Sequence, residues 1–272
     1  MPDALQLAET LGAVLDDIGP VAVAVSGGVD STTLAALAHR RLGPRARMMH
    51  AVSPAVPPEA TERVRALAAS EGWRLEIIDA GEFEDPRYRA NPANRCFYCK
   101  TNLYARIAPI AATAGAVTLS GTNRDDLSDW RPGLKAAEDH GVRHPYVEAG
   151  IDKAGVRAIA RHLELGEIAE LPASPCLSSR IETGIAIDPD ELSLVHAVET
   201  FVGARLGAPT VRCRLRRTGL VIELDEASLE QLMDKDELAA AVADIARSRG
   251  GERPVSFKAY RMGSAFLRPA GS

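Results

Sequence analysis

No Gly-Lys-Ser or Gly-Lys-Thr occurs anywhere in the 272 residues, which excludes a Walker A loop and the nucleotide chemistry built on it. Long apolar runs are missing too. The longest weakly charged stretch, residues 107–120, is interrupted by Pro109 and Gly115 and is too short to span a bilayer. The opening Met1-Pro2-Asp3-Ala4, followed by Glu9, Asp16 and Asp17, lacks the basic n-region of a secretory signal, so a cytoplasmic protein without membrane contact is expected. There is no basic half: the formal charge is −5, and residues 186–272 hold 12 basic and 13 acidic side chains, so nothing supports a nucleic-acid partner. Internal repeats and low-complexity segments are absent. Cysteine is scarce, and four in a chain of this character point to metal or catalytic use before disulfides.

What is present is sharper. Ser26-Gly27-Gly28-Val29-Asp30-Ser31 lies between an apolar run at 21–25 and a helix-like segment at 32–42. A strand, a turn with two adjacent glycines flanked by hydroxyls, and a helix start together present backbone N–H groups and a positive dipole end to an anion. Glycines let that backbone approach phosphates closely. With the Walker pattern missing, a nucleotide cleaved between its α and β phosphates is the expected ligand. The plainer alternative is a strand-to-helix turn capped by Ser31 or Asp30.

Strands are expected over 21–25, 47–52, 74–79 and 116–119, alternating with helices over 32–42, from Pro57-Pro58 to near Gly72, and over 98–114. This alternation predicts an α/β fold with a doubly wound parallel sheet, whose ligands collect at the carboxyl ends of the strands. Ser26, Ser53, the loop after Asp79 and Gly121-Thr122-Asn123 fall there. Beyond the loop at 171–187 the pattern becomes a helix over 189–206, a hairpin over 211–216 and 220–224 about Thr218-Gly219, a helix over 228–248 and a strand near 255–260. The expected domains are therefore 1–185 and a small α+β unit at 186–272.

Cys96 and Cys99 form a Cys-x-x-Cys at the mouth of a helix, and Cys176 lies in Pro172-Ala173-Ser174-Pro175-Cys176-Leu177-Ser178-Ser179-Arg180. Three thiolates from two loops suit a metal site with one open position; structural zinc wants four ligands. Three cysteines on an iron–sulfur cluster leave one iron open. A dithiol redox pair, with Cys176 a small buried residue, is the alternative. Cys213 alternates with Arg212 and Arg214 on an expected strand, so it should face the core and the arginines should face outward.

With Asn91-Pro92-Ala93-Asn94-Arg95-Cys96-Phe97-Tyr98-Cys99-Lys100, Gly121-Thr122-Asn123-Arg124-Asp125-Asp126, Asp129, Arg131-Pro132-Gly133 and the 172–180 loop, the chain resembles the LarE family. These are ATP-dependent sulfur transferases of the PP-loop superfamily, which help build the nickel-pincer nucleotide cofactor. The resemblance implies adenylylation of a carboxylate of pyridinium-3,5-biscarboxylic acid mononucleotide, release of pyrophosphate, and replacement of the acyl adenylate by a thiocarboxylate. It also implies Mg²⁺ with the ATP, a sulfide donor, and a homo-oligomer whose interface uses the C-terminal unit. Some members sacrifice one cysteine's sulfur; others hold a [4Fe-4S] cluster on three cysteines, the pattern that Cys96, Cys99 and Cys176 match. Cys176 also matches the sacrificial position.

By the same resemblance Ser26, Gly27, Gly28, Asp30, Ser31, Ser53, Gly121, Asn123, Asp125 and Asp126 line the nucleotide site, Asp30 being a candidate Mg²⁺ carboxylate. Lys100 and Arg180 would neutralise phosphate or developing charge near the cysteines, or else be surface cations. Ser179, Arg212, Arg214 and Glu199 would serve the substrate nucleotide; an exposed basic strand and a solvated helix face are the alternatives, and Glu223 is a weaker candidate. Asp125, Asp126 and Asp129 could instead cap a helix. The nearest rivals are a cluster-dependent tRNA thiolase of the same superfamily and an ammonia-using amidotransferase synthetase domain.

Overall fold

The computed structural model describes residues 3–128, 131–173, 175–249 and 251–267. The chain divides into two compact units, residues 1–85 with 94–174, and residues 86–93 with 175–272.

The first unit opens with α1 (Ala4–Ile18), then β1 (Val21–Ala24), α2 (Val29–Leu42), β2 (Ala46–Val52), α3 (Pro58–Glu71) and β3 (Arg74–Asp79). The next helix in the chain, α4 (Pro86–Arg89), belongs to the second unit. The first unit resumes with α5 (Arg95–Thr113), β4 (Val117–Leu119), α6 (Pro132–Asp139), α7 (Pro145–Glu148) and α8 (Lys153–His162). All four strands are parallel, in the order β3-β2-β1-β4. The sheet therefore reverses its winding at β1, and the crevice beyond β1 and β4 is the position such folds use for ligands. β1 is short, apolar and buried, as an inner parallel strand must be. α2 is buried along most of its length because Ala35, Ala36 and Ala38 let it sit close between the sheet and its neighbours, in one core with Leu11, Leu15, Val23, Met48 and Ile159. Proline at the first turn and left-handed Gly72 past the last bound α3.

The second unit continues with α9 (Pro189–Leu206), β5 (Val211–Arg216), β6 (Gly219–Leu224), α10 (Glu226–Glu230), α11 (Lys235–Ser248) and β7 (Val255–Ala259). β5 and β6 form an antiparallel hairpin, and β7 joins β6 in parallel. Asp188 caps α9 by accepting from the Asp190 N–H at 2.9 Å. The single helix expected over 228–248 is two helices. Asp225 accepts from both the N–H and the hydroxyl of Ser228 and starts the first, and the chain leaves the helix before restarting at Lys235.

Residues 175–185, grouped with the first domain on sequence, pack here with the second unit. Ile181 bridges to Leu215, and the Glu182 N–H donates to the Leu215 carbonyl at 2.9 Å, so this loop extends the small sheet. Residues 86–93 are tied in by Asn91, fully buried, whose amide donates to the carbonyls of Glu182 and Ile185 at 3.0 and 2.9 Å. Tyr88 and Ser178 share a hydrogen bond of 2.6 Å. Among the described residues no helix is long and apolar enough to cross a membrane.

Candidate functional site

The glycine turn after β1 is held from inside. The Ser26 N–H donates to the Ser31 hydroxyl at 3.0 Å, the two hydroxyls share a hydrogen bond of 3.0 Å, and Ser31 donates to the Gly28 carbonyl at 3.3 Å. Gly27 has φ +82°, and a Cβ there would lie 2.7 Å from the Ala60 carbonyl oxygen, so no side chain fits. Gly28 is the N-cap of α2, and its N–H reaches only Ser26 Oγ at 3.5 Å, the outer limit of a hydrogen bond. That leaves a donor at the positive end of a helix for an anion.

Asp30, in the first turn of α2, is the hub. Its carboxylate accepts from Asn123 Nδ2 at 3.1 Å and pairs with Lys153 Nζ at 2.5 Å, and its carbonyl accepts from the Tyr146 hydroxyl at 2.9 Å. Burial raises the Tyr146 pKa far above the phenol's usual value, so that hydroxyl stays a donor. Gly121 brings the β4 loop against α2: a Cβ there would lie 2.8 Å from Ser31 N, and only hydrogen fits. Ser53 ends β2, its hydroxyl accepting from the Ala55 N–H at 3.3 Å.

Asp125 and Asp126 serve turns. Asp126 accepts from the Asn123 N–H at 3.0 Å and pairs with Arg131 at 2.8 Å; Asp125 accepts from the Lys153 N–H at 3.1 Å. These bonds are the capping alternative, and they fix Asn123 and Lys153 around Asp30. Asp129 lies outside the described residues. Lys100 rises from α5 with its ammonium 5.8 Å from the Tyr104 ring centre, and its stem lies 3.1 Å from where a Cβ on Gly133 would be.

Sequence reasoning missed several residues here. Lys153 begins α8, and a lysine at a helix N-terminus opposes the dipole, a signal that some outside anion holds it. His50 is fully buried, its Nδ1 donating to the Val25 carbonyl at 2.8 Å and its Nε2 accepting from Thr61 at 2.9 Å; burial lowers its pKa, so it is neutral at pH 7. His144, also lowered by burial, bonds through Nδ1 to Ser120 Oγ at 2.8 Å, and Ser120 in turn to Thr122 at 3.0 Å. None of these lies in a recognisable motif.

In the second unit the Cys176 loop is clamped by Arg180. Its guanidinium donates to the Pro175 carbonyl at 2.7 Å, the Cys176 carbonyl at 3.3 Å and Ser179 Oγ at 3.0 Å, and pairs in bidentate fashion with Glu199 at 2.9 and 3.0 Å. The arginine side chain is 3% exposed and the glutamate 12%, so neither the surface cation nor the solvated helix face describes them. Glu199 balances the charge of Arg180, and the same guanidinium orders the Cys176 loop. Arg214 also departs from expectation: it does not face outward but is buried, paired with Glu223 at 2.9 Å and donating to the Ser179 carbonyl at 3.1 Å. The strand alternates as expected, but both its faces are covered. Arg212 is half-buried, 5.9 Å from the Tyr260 ring centre; burial, then the nearby charge of Arg180, pull its pKa down against Glu199. An anion would relieve that crowding of arginines.

None of the four cysteines is joined in a disulfide. Cys96 and Cys99, in the first two turns of α5 and three residues apart, share a helix face and are exposed and half-exposed; Cys176 is exposed on the second unit's loop. Cys213 is buried and its thiol pKa is pushed far up by burial, which removes it as a ligand. Among the described residues no group of three His, Cys, Asp or Glu side chains is gathered to hold a metal ion. Cys96 and Cys99 belong to the first unit and Cys176 to the second; thiolates are the ligands that an iron–sulfur cluster takes.

No protein-family model matches the chain. An uncharacterized protein of Synechocystis sp., slr1717, is 37% identical over 235 residues, covering 86% of this chain and 87% of its own. A chain of the glutamine-hydrolyzing GMP synthase of Methanopyrus kandleri is 28% identical over 192 residues, 66% of this chain and 61% of its own. The pyridinium-3,5-bisthiocarboxylic acid mononucleotide synthase of Lactiplantibacillus plantarum is 35% identical over 222 residues, 81% of this chain and 80% of its own. With identity of that degree over most of both proteins, the chain belongs to the family of this synthase, the LarE family, with its PP-loop fold.

Proposed function

We propose that this protein is an ATP-dependent sulfurtransferase that makes a thiocarboxylate of pyridinium-3,5-biscarboxylic acid mononucleotide. The observation that carries the reading is its 35% identity, over 81% of the chain, to the synthase of the bisthiocarboxylic product. In the first half-reaction the substrate carboxylate oxygen attacks the α phosphorus of ATP, giving an acyl adenylate and pyrophosphate. The Gly28 N–H and the α2 dipole would take pyrophosphate charge, with Lys153 beside it, and Asp30 is the carboxylate available to the accompanying Mg²⁺. Lys100 is the candidate cation beside Cys96 and Cys99. Arg212, with Arg180 and Arg214 behind it, would bind the substrate's phosphate.

In the second half-reaction hydrosulfide displaces AMP from the acyl carbon, leaving thiocarboxylate, AMP and a proton. Cys96, Cys99 and Cys176 would hold a [4Fe-4S] cluster, which when bound would supply an open iron for sulfide. A homo-oligomer using the second unit belongs to the same proposal.

A second reading is favoured by the exposure of Cys176 on a loop clamped at its carbonyl by Arg180. There the Cys176 thiolate attacks the acyl adenylate and expels AMP to form a thioester; loss of the Cys176 Cα proton to a base with cleavage of the Cβ–S bond then leaves thiocarboxylate and a dehydroalanine. The test is anaerobic reconstitution with turnover. About four irons per chain, lost in Cys96→Ala, Cys99→Ala and Cys176→Ala but kept in Cys213→Ala, supports the cluster. A Cys176 lighter by H₂S after turnover, without iron, supports sacrifice. If ATP and the carboxylate nucleotide release no pyrophosphate, both readings fall.

A further inference from the structure

Arg63, on α3, lies outside every motif of the chain, yet its Nη1 donates to the Gly27 carbonyl at 3.1 Å. The residue is half-buried, and among the described residues no carboxylate is paired with it. A guanidinium so sited answers a backbone oxygen with a full charge, an arrangement in search of an anion. The Gly27 carbonyl and the Gly28 N–H belong to one planar trans peptide, so they point in opposite directions. Pinning the carbonyl toward α3 therefore aims the Gly28 N–H away from α3, and that N–H has only the 3.5 Å contact with Ser26 Oγ to occupy it. Two features hold the same orientation: the positive φ of Gly27 and the Ala60 carbonyl packed where its Cβ would be.

We infer that Arg63 is a positioning residue for the pyrophosphate moiety of the nucleotide, fixing the Gly27–Gly28 peptide so that the Gly28 N–H faces the pyrophosphate. The inference rests on the proposed ATP-dependent reading. It separates this side chain from Lys153, whose charge Asp30 already balances. It also predicts selectivity, because AMP carries no β or γ phosphate and gains nothing from Arg63.

The test is calorimetric titration of the full chain with ATP, inorganic pyrophosphate and AMP, in wild type, Arg63→Met and Arg63→Lys. Losing a charge-assisted hydrogen bond should weaken ATP and pyrophosphate by about 10- to 100-fold in Arg63→Met. AMP affinity should stay at the wild-type value, and Arg63→Lys should recover part of the loss. Equal affinity of Arg63→Met and wild type for pyrophosphate overturns the inference, as does an equal loss for AMP. A wild type that binds neither ATP nor pyrophosphate instead overturns the ATP-dependent reading.

Discussion

Replacing Arg180 by methionine removes the cation from a pair whose members are 3% and 12% exposed. The methionine fills most of the stem's volume, so the loss is electrostatic rather than a cavity. Glu199 is then left largely desolvated, with the Cys213 N–H 2.9 Å away and the charge of Arg212 nearby in place of its bidentate partner. Breaking a buried pair from one side costs about 3–5 kcal/mol. For a chain of this size each kcal/mol lowers Tm by about 2–4 °C, so the expected drop is about 6–20 °C. Adding Glu199→Gln keeps an acceptor for Cys213 and removes the stranded charge, and should recover at least about 2 kcal/mol of the loss.

Urea denaturation of the wild type, both single variants and the double variant gives the coupling energy directly. A second readout isolates the loop. Arg180 also holds the carbonyls of Pro175 and Cys176, and neither contact returns in the double variant. Alkylation of Cys176 should therefore be faster than wild type in both Arg180→Met proteins, even where stability has recovered. An Arg180→Met protein within about 1 kcal/mol of wild type, with no coupling to Glu199→Gln, refutes the buried-pair argument.

Two further outcomes follow from burial. Iodoacetamide should modify Cys96 and Cys176 of the native protein, Cys99 more slowly, and Cys213 only after unfolding, as peptide mass spectrometry would reveal. Stability should fall on acidification through the histidine range, because the pKa values of His50 and His144 are lowered in the fold. Between their ordinary value and the lowered one the unfolded chain binds more protons, so this contribution is complete above about pH 6.5 and is lost as pH drops. Tm measured from pH 8 to pH 5 should carry this slope, and an unchanged slope in a His50→Asn, His144→Asn protein would contradict it.

The strands of the first unit and their parallel direction were legible because β-branched runs alternating with helices leave few topologies open; their order β3-β2-β1-β4 was not. The glycine turn was legible for a similar reason: its conformation is local, and two adjacent glycines with flanking hydroxyls encode it within six residues. The helix expected over 228–248 was misread because apolar spacing continues across Leu232 and Met233 while the backbone does not. Lys153, Tyr146, His50 and Arg63 were invisible, since each reaches the loop from an element far away in sequence. Nothing in the spacing of residues 26–31 says which distant side chain will land beside them.

The parallel sheet, the glycine turn between strand and helix, and the family could all be read from the order of the residues. Which charges are paired, and with what, emerged only on folding. Arg180 and Arg214 look alike on paper as spare cations, yet each is buried against its own glutamate, while Arg63 has a backbone carbonyl as its partner. The reason is physical: a charge's role is set by what desolvates and pairs it, and that environment is assembled from segments the chain brings together only on folding.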